Sequence, residues 1–292
     1  EPLWTLADSW IWARLQALVR EVERLFQNYQ YGEAGRQIYD FFWSEFADWY
    51  VEVSKMQLAE GGDRAYYTAY TLARVLDISL RMLHPFIPFI TEKMWGHLRR
   101  ALKESSLAKL TESWPEALII ASWPEPRPLE LWEEKSINQF SLMMDIVRSV
   151  RNLRSEKNVT PGKRLSAIIV AHDWTPVVNY QAATIATLAQ LDLEHLTVVE
   201  AQDEKPEGAV VIVVGPVEIY LPIADLVDLE DERSRLSKGL AEAEAQIDRL
   251  EALLASPFAE KAPVPVVQKE RDKLQGFIDM ADKLRSQLQA LK

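Results

Sequence analysis

Near the C-terminus, Leu226, Leu229, Arg233, Leu236, Leu240, Ala243, Ile247, Leu250 and Leu254 follow one another at steps of three and four residues. A repeat of this period puts them along one seam of a helix that pairs with another helix. The seam halts at SPFAEKAPVPVV, where Pro257, Pro263 and Pro265 forbid one unbroken helix. It resumes with Val267, Leu274, Phe277, Ala281, Leu284, Leu288 and Leu291. A parallel dimer needs a continuous helix, so the two seams predict an antiparallel hairpin within one chain. About 30 residues per arm, at the α-helical rise, give a length of roughly 45 Å. Gly239 lies inside the first arm and costs about 1 kcal/mol against Ala. So thin a hairpin buries little core and suits a tether or a handle for a partner.

The N-terminal part reads as four amphipathic helices. LADSWIWARLQALVREVERLFQNY carries Leu6, Trp10, Leu15, Leu18, Val22, Leu25 and Phe26 at helical spacing, with Asp8 or Ser9 as its cap. YGEAG then breaks the helix. A second, aromatic helix continues to about Ala59. In it Tyr39, Phe42, Trp43, Phe46, Trp49, Tyr50 and Val53 fall on one stripe at about 100° per residue, the mark of core. Phe41 falls among Asp40, Ser44, Glu45, Asp48 and Glu52, where either a second helix or a partner must cover it. EGGDR is a turn, and a third helix spans about Arg64 to Leu83 before HPFIPF stops it. The fourth spans about Pro88 to Lys103. Short links between such helices predict an antiparallel bundle.

SWPEALIIASWPEPRPLE is Pro-rich and marks a boundary near Arg127. A long helix follows, from about Glu130 to Arg154. LSAIIVAH, LTVVEA and AVVIVVGPVEIYLPI then read as strands, being Val/Ile-rich runs bounded by Gly, Pro and Asp. The expected fold class is mainly α: a helical bundle over 1–128, a small α/β linking domain over 129–225 and a coiled-coil arm over 226–292.

The chemistry available is limited. The 292 residues include no cysteine, so disulfides, thiolate metal sites and cysteine nucleophiles are excluded. The four histidines, His84, His97, His172 and His195, show no i, i+4 pair that would suggest zinc, and His84 sits before a proline at a helix end. There is no Gly-rich phosphate loop and no nucleophile elbow. No catalytic residue, metal or cofactor is expected within the chain. No apolar run has the length of a membrane span, and no signal peptide opens the sequence, which fits a cytoplasmic protein. The opening EPLWTLADSW has the character of the middle of something larger.

The formal net charge of -11 opposes bulk attraction to nucleic acid. One stretch runs against it. In VRSVRNLRSEKNVTPGKR, Arg148, Arg151, Arg154, Lys157, Lys163 and Arg164 face a single carboxylate, Glu156. The arginines recur every three residues along one helix and the basic loop continues from its end. Two readings stand: a solvated face complementing the helix C-terminus, or a contact with phosphate oxygens.

Several strings together resemble the C-terminal part of valyl-tRNA synthetases: LADSWIWARL, YDFFWSEFADWYVE, MLHPFIPFITEKMW, IIASWPEP, VRNLRSEKNVTPGKR, LVDLEDERSRL and LASPFAEKAPVPVVQKERDKL. HPFIPFITE and DWYVE are shared with isoleucyl and leucyl relatives; the tail, with its F-x-x-KAP-x-x-VV-x-x-E, is the specific part. The resemblance implies an anticodon-binding bundle, a linking domain and a coiled-coil arm that meets the outer corner of tRNA. It implies tRNA, and tRNA(Val) in particular, as partner, together with the catalytic domain of the parent chain. Valine activation with ATP would belong to that domain, whose nucleotide-binding signatures are absent here. Ser9 stands where the family commonly has Arg, and the family's usual first bundle helix is absent. The rival reading is a helical and coiled-coil protein-interaction module, or the same region of an isoleucyl- or leucyl-type enzyme.

Overall fold

A computed structural model describes residues 4–202, 206, 208–222, 229–256 and 264–290. Helix α1 (Leu6–Gln27) begins at Thr5, whose hydroxyl accepts from the Asp8 backbone N–H while the Asp8 carboxylate accepts from the Thr5 N–H. This reciprocal capping box makes Thr5 the cap, in place of Asp8 or Ser9. The helix ends at Asn28–Gln30, where Tyr29 takes φ +59°. YGEAG is therefore helix: α2 (Tyr31–Asp40) contains it. Gly35 is needed there, because a Cβ on it would stand 2.9 Å from the Phe86 ring.

The aromatic segment departs from the expected phase. Phe41–Tyr50 is a π-helix, which runs directly into α3 (Val51–Glu60). Bonds from i to i+5 widen each turn, so each residue advances by less than the α-helical step. The stripe slips accordingly. Phe46, Trp49, Tyr50 and Val53 are core as expected, but Phe41 is also buried, at 3% exposure, while Tyr39 and Trp43 stand out at 59% and 56%. A second helix is what covers Phe41's side: Arg14 of α1 holds Glu45 there through two hydrogen bonds of 2.7 and 2.6 Å.

Helices α4 (Gly62–Leu83) and α5 (Pro88–Lys103) complete the bundle. Pro88 occupies the first turn of α5, where its missing N–H costs nothing. A smaller core lies under α5, where Trp95 and Trp114 stack at 4.6 Å and Arg81 sits 5.0 Å over Trp95. His84 Nδ1 lies 2.9 Å from Thr91 Oγ1. A buried polar chain crosses the bundle. Asp8 accepts from the Tyr50 hydroxyl at 2.6 Å and from Thr5, Thr5 accepts from Gln57, and Gln57 accepts from Thr68. Burial first, and the Asp8 carboxylate second, raise the Tyr50 phenol above its ordinary pKa, which keeps it a donor.

Helix α6 (Leu131–Glu156) joins the bundle to the α/β part. Its Phe140 stacks on Trp10 of α1 at 4.1 Å, and one continuous core includes both of them together with Ile169 and Ile219 of the sheet. At its start, Glu133 is fully buried. It meets Arg20 Nη2 at 3.1 Å and Arg127 Nη2 at 2.6 Å. The sheet has the order β2-β1-β4-β3, from β1 (Leu165–Val170), β2 (Leu191–Val199), β3 (Ala209–Val214) and β4 (Val217–Pro222). β1 and β2 are parallel, joined through α7 (Thr175–Tyr180) and α8 (Ala182–Ala189); the other two pairings are antiparallel. β3 and β4 form a hairpin whose two-residue turn opens with Gly215 at φ +54°, the conformation that such a turn demands.

The last two helices are α9 (Leu229–Ala255) and α10 (Val264–Ala290). They lie along each other. Leu236, Ala243, Leu250, Val267 and Ala281, all seam positions, are buried. Gly239 near the start of α9 faces Leu284 near the end of α10, and Glu244 pairs with Arg285 at 2.7 Å, so the two run antiparallel. Pro265 lies in the first turn of α10 rather than before it, a place where a helix tolerates proline. Leu226, Leu291, Pro257, Pro263 and the expected boundary at 225/226 lie outside the described residues. For Leu229 and Arg233 only the helical backbone is described. Among the described residues no helix is long and apolar enough to cross a membrane, and no group of His, Asp and Glu could hold a metal ion.

Candidate nucleic-acid interface

The six cations singled out in the sequence separate into distinct environments. Steps of three residues turn a helix by about 300°, so each arginine lies about 60° from the last and Arg154 lies about 120° from Arg148. Arg148 and Arg151 both lie against Trp49 of the aromatic segment. Their guanidinium carbons stand 5.1 and 5.7 Å from the Trp49 ring centroid. Arg148 also touches Asp145 at 3.1 Å, and Arg151 Nε donates to the Leu188 carbonyl at 2.8 Å. Both remain exposed. A cavity of about 500 Å³ opens beside Arg151, between α3, α6 and α8.

Arg154 has rotated away from them and is a structural residue. It is buried, and its guanidinium donates to the Gln190 side chain at 2.8 Å and to the Gln190 carbonyl at 3.3 Å. Burial lowers its pKa from the ordinary guanidinium value. Gln190 accepts this role because it ends α8 in the left-handed conformation, φ +56°, which turns its carbonyl toward α6. The reading of Arg154 as a phosphate contact is therefore corrected: its donors are spent inside the protein.

The loop after α6 presents the rest. Asn158 turns the chain at φ +53°. Thr160-Pro161-Gly162-Lys163 then makes a tight turn, closed by Lys163 N–H to Thr160 O at 3.2 Å with Gly162 at φ +89°. Pro at the second position and a positive-φ Gly at the third are what a type II turn requires. Lys157 is exposed and Lys163 half-buried, and neither forms an ion pair among the described residues. Arg164 is exposed with one donor on the Leu191 carbonyl at 3.1 Å. Five cations are thus accessible along the end of α6 and its turn, with aromatic support from Trp49. That support was missed in the sequence, because 99 positions separate Trp49 from Arg148 and no local pattern links them.

Residues 8–169 match the family model described as the anticodon-binding domain of tRNA ligase. That match covers more than half of the chain, and the chain belongs to this family. Residues 228–292 match a second model, the valyl tRNA synthetase tRNA binding arm. Within the tRNA ligases, then, the chain corresponds to the C-terminal region of the valyl enzymes. It is 42% identical over 279 residues to the valine–tRNA ligase of Carboxydothermus hydrogenoformans, covering 94% of this chain and 29% of that protein. It is 34% identical to the valine–tRNA ligases of Bacillus cereus and Thermotoga maritima, over 99% and 98% of this chain and 31% and 30% of those proteins. The chain thus spans about three-tenths of the length of the curated relatives it matches.

Proposed function

We propose that this chain is the tRNA-contacting part of a cytoplasmic valine–tRNA ligase that joins valine to tRNA(Val) with ATP. The bundle serves the anticodon region, the α9–α10 arm serves the outer corner of the tRNA, and the exposed cations of α6 and its turn hold backbone phosphates between them. The activation and transfer of valine belong to the catalytic domain, in the part of the ligase outside this sequence, with which this chain works. The observation that carries the reading is the order of the two family matches in one chain, an anticodon-binding domain followed by a tRNA-binding arm.

The net charge of -11 means that the phosphate contacts must be local. Arg148, Arg151, Lys157, Lys163 and Arg164 are the candidates, since arginine and lysine neutralise phosphates and release counterions. The test is a tRNA gel-shift across a salt series, comparing the chain with its Lys157→Glu, Lys163→Glu double variant. Two lost phosphate contacts make the salt dependence shallower by about 1.8 in log–log slope, at the duplex value of about 0.9 per contact. Neither lysine forms an ion pair among the described residues, so the double variant removes no described salt bridge. An unchanged slope and affinity would leave only a solvated basic face.

A further inference from the structure

A cavity of about 380 Å³ lies between α1, α4 and the Pro-rich strip that precedes α6. Its walls are aromatic and fixed in place. Trp12, Trp114 and Trp123 line it, with Trp114 stacked on Trp95 at 4.6 Å and Trp123 on Phe26 at 5.1 Å. The strip is held at both ends: Arg81 Nη1 donates to the Ser122 carbonyl at 3.1 Å, and Arg127 Nη2 reaches the buried Glu133 at 2.6 Å. Two polar side chains of the wall have unused capacity. Gln16 of α1 is 5% exposed, yet its amide makes no hydrogen bond among the described residues. Arg74 of α4 has a buried Nε with no hydrogen-bond partner among the described residues, and the carboxylate it approaches, Asp77 at 3.8 Å, already accepts from Arg81 Nε at 2.7 Å. Leaving buried polar groups unpaired is costly, and a ligand that pairs them removes that penalty.

We infer that this cavity binds a free adenine nucleoside monophosphate. Its size suits a small molecule rather than a helix or strand of a partner, since small-molecule pockets span about 300–1,000 Å³. Tryptophan rings offer stacking to any base. A glutamine amide matches the adenine edge in particular, accepting from the N6 amino group and donating to N7. The Arg74 guanidinium supplies donors for phosphate oxygens. One phosphate group is the limit. Arg81 is matched by Asp77, and Arg127 by Glu130 and Glu133, so Arg74 is the cation left over among the described lining residues, with Glu125 exposed beside it in the same lining. A longer phosphate chain would meet that carboxylate. The same balance sets the cavity apart from the proposed tRNA contacts, which gather cations at the other end of α6. Arg148 lies roughly 26 Å along that helix from its start at Leu131. The ligand is therefore a free nucleotide rather than a stretch of RNA, and the inference does not rest on the tRNA-binding reading.

The test is isothermal titration of this chain with AMP. A Kd of about 10–100 µM is expected for a ligand of this size. GMP should bind about tenfold more weakly, because its O6 accepts where adenine N6 donates. Gln16→Leu, which nearly keeps the side-chain volume, should weaken AMP about tenfold and bring it level with GMP. Arg74→Gln should weaken AMP about tenfold and leave adenosine unchanged, since only the phosphate contact is removed. If Gln16→Leu shifts the chain's thermal midpoint, Arg74→Gln decides alone, its side chain being 33% exposed and its ion pair a long one. No heat with AMP up to about 5 mM overturns the inference. So does equal binding of AMP and GMP, or AMP binding that both variants leave unchanged. Displacement of AMP by one equivalent of tRNA overturns the free nucleotide in favour of an unstacked adenosine of RNA.

Discussion

Phe41→Ala tests the π-helical phase of the aromatic segment. If Phe41–Tyr50 were α-helical, Phe41 would lie on the solvent side and Tyr39 in the core. In the structure Phe41 is 3% exposed and belongs to the main core, beneath α1. Truncating a buried Phe removes its transfer energy and leaves a cavity, at a cost of about 3–5 kcal/mol. The bundle, α6 and the sheet share that core, so they should melt as one unit. At roughly 2–4 °C per kcal/mol for a unit of 150–250 residues, the midpoint should drop by about 6–20 °C. The matched control is Tyr39→Ala, which should stay within about 0.5 kcal/mol because its ring stands mostly in water, stacked on Trp43. Tryptophan fluorescence in a urea titration, summed over the ten tryptophans, reports both. A loss below about 1 kcal/mol at Phe41, paired with a larger loss at Tyr39, would restore the α-helical phase and refute the register described here.

Two further perturbations test the joints. Glu133→Ala should cost about 3–5 kcal/mol, because Arg20 and Arg127 then lose a fully buried counter-charge between the bundle and α6; a loss under about 1 kcal/mol in calorimetry would show the pair to be dispensable. Gly239→Ala should stabilise the arm by up to about 1 kcal/mol, since the added Cβ meets Leu284 Cδ1 at an ordinary 3.7 Å; a lowered helix signal on heating would show that the interface needs the glycine.

How far the sequence could be read depended on where the controlling interaction lay. Pro88 sets the start of α5 by its own ring, and Pro88–Lys103 was legible to the residue. The antiparallel course of α9 and α10 was legible because the heptad period is long and local. The strands were found from their Val/Ile runs, but their pairing order was not, since β1 bonds β4 across 50 residues. Asp8 or Ser9 was expected as the cap where Thr5 serves, because all three are capping residue types and only the reciprocal bond between Thr5 and Asp8 singles out Thr5. Phe41 and Tyr39 were exchanged because a π-helix has no sequence period distinct enough to announce it. Among the candidate site residues, Lys157, Lys163 and Arg164 sit on the surface that their charge pattern suggested. Arg154 does not, because a six-residue separation had already carried it round the helix to Gln190.

The polar chain through Thr5, Asp8, Tyr50, Gln57 and Thr68 bears on how firmly the helices are indexed against one another. Aromatic rings and aliphatic side chains form a greasy contact, and a slide of one helix by a turn exchanges one apolar neighbour for another at modest cost. Such a slide displaces every group by about 5.4 Å. A hydrogen bond of 2.6 Å does not survive it, and Asp8 would be left as a buried carboxylate stripped of its Tyr50 donor. The chain thus acts as a detent: it contributes less to whether the bundle collapses than to which notch it stops in. The outer features move with that notch. Trp49, which lies beneath Arg148 and Arg151, is one position from Tyr50, so the same bond that stops the slide also sets the height of those two cations along α6.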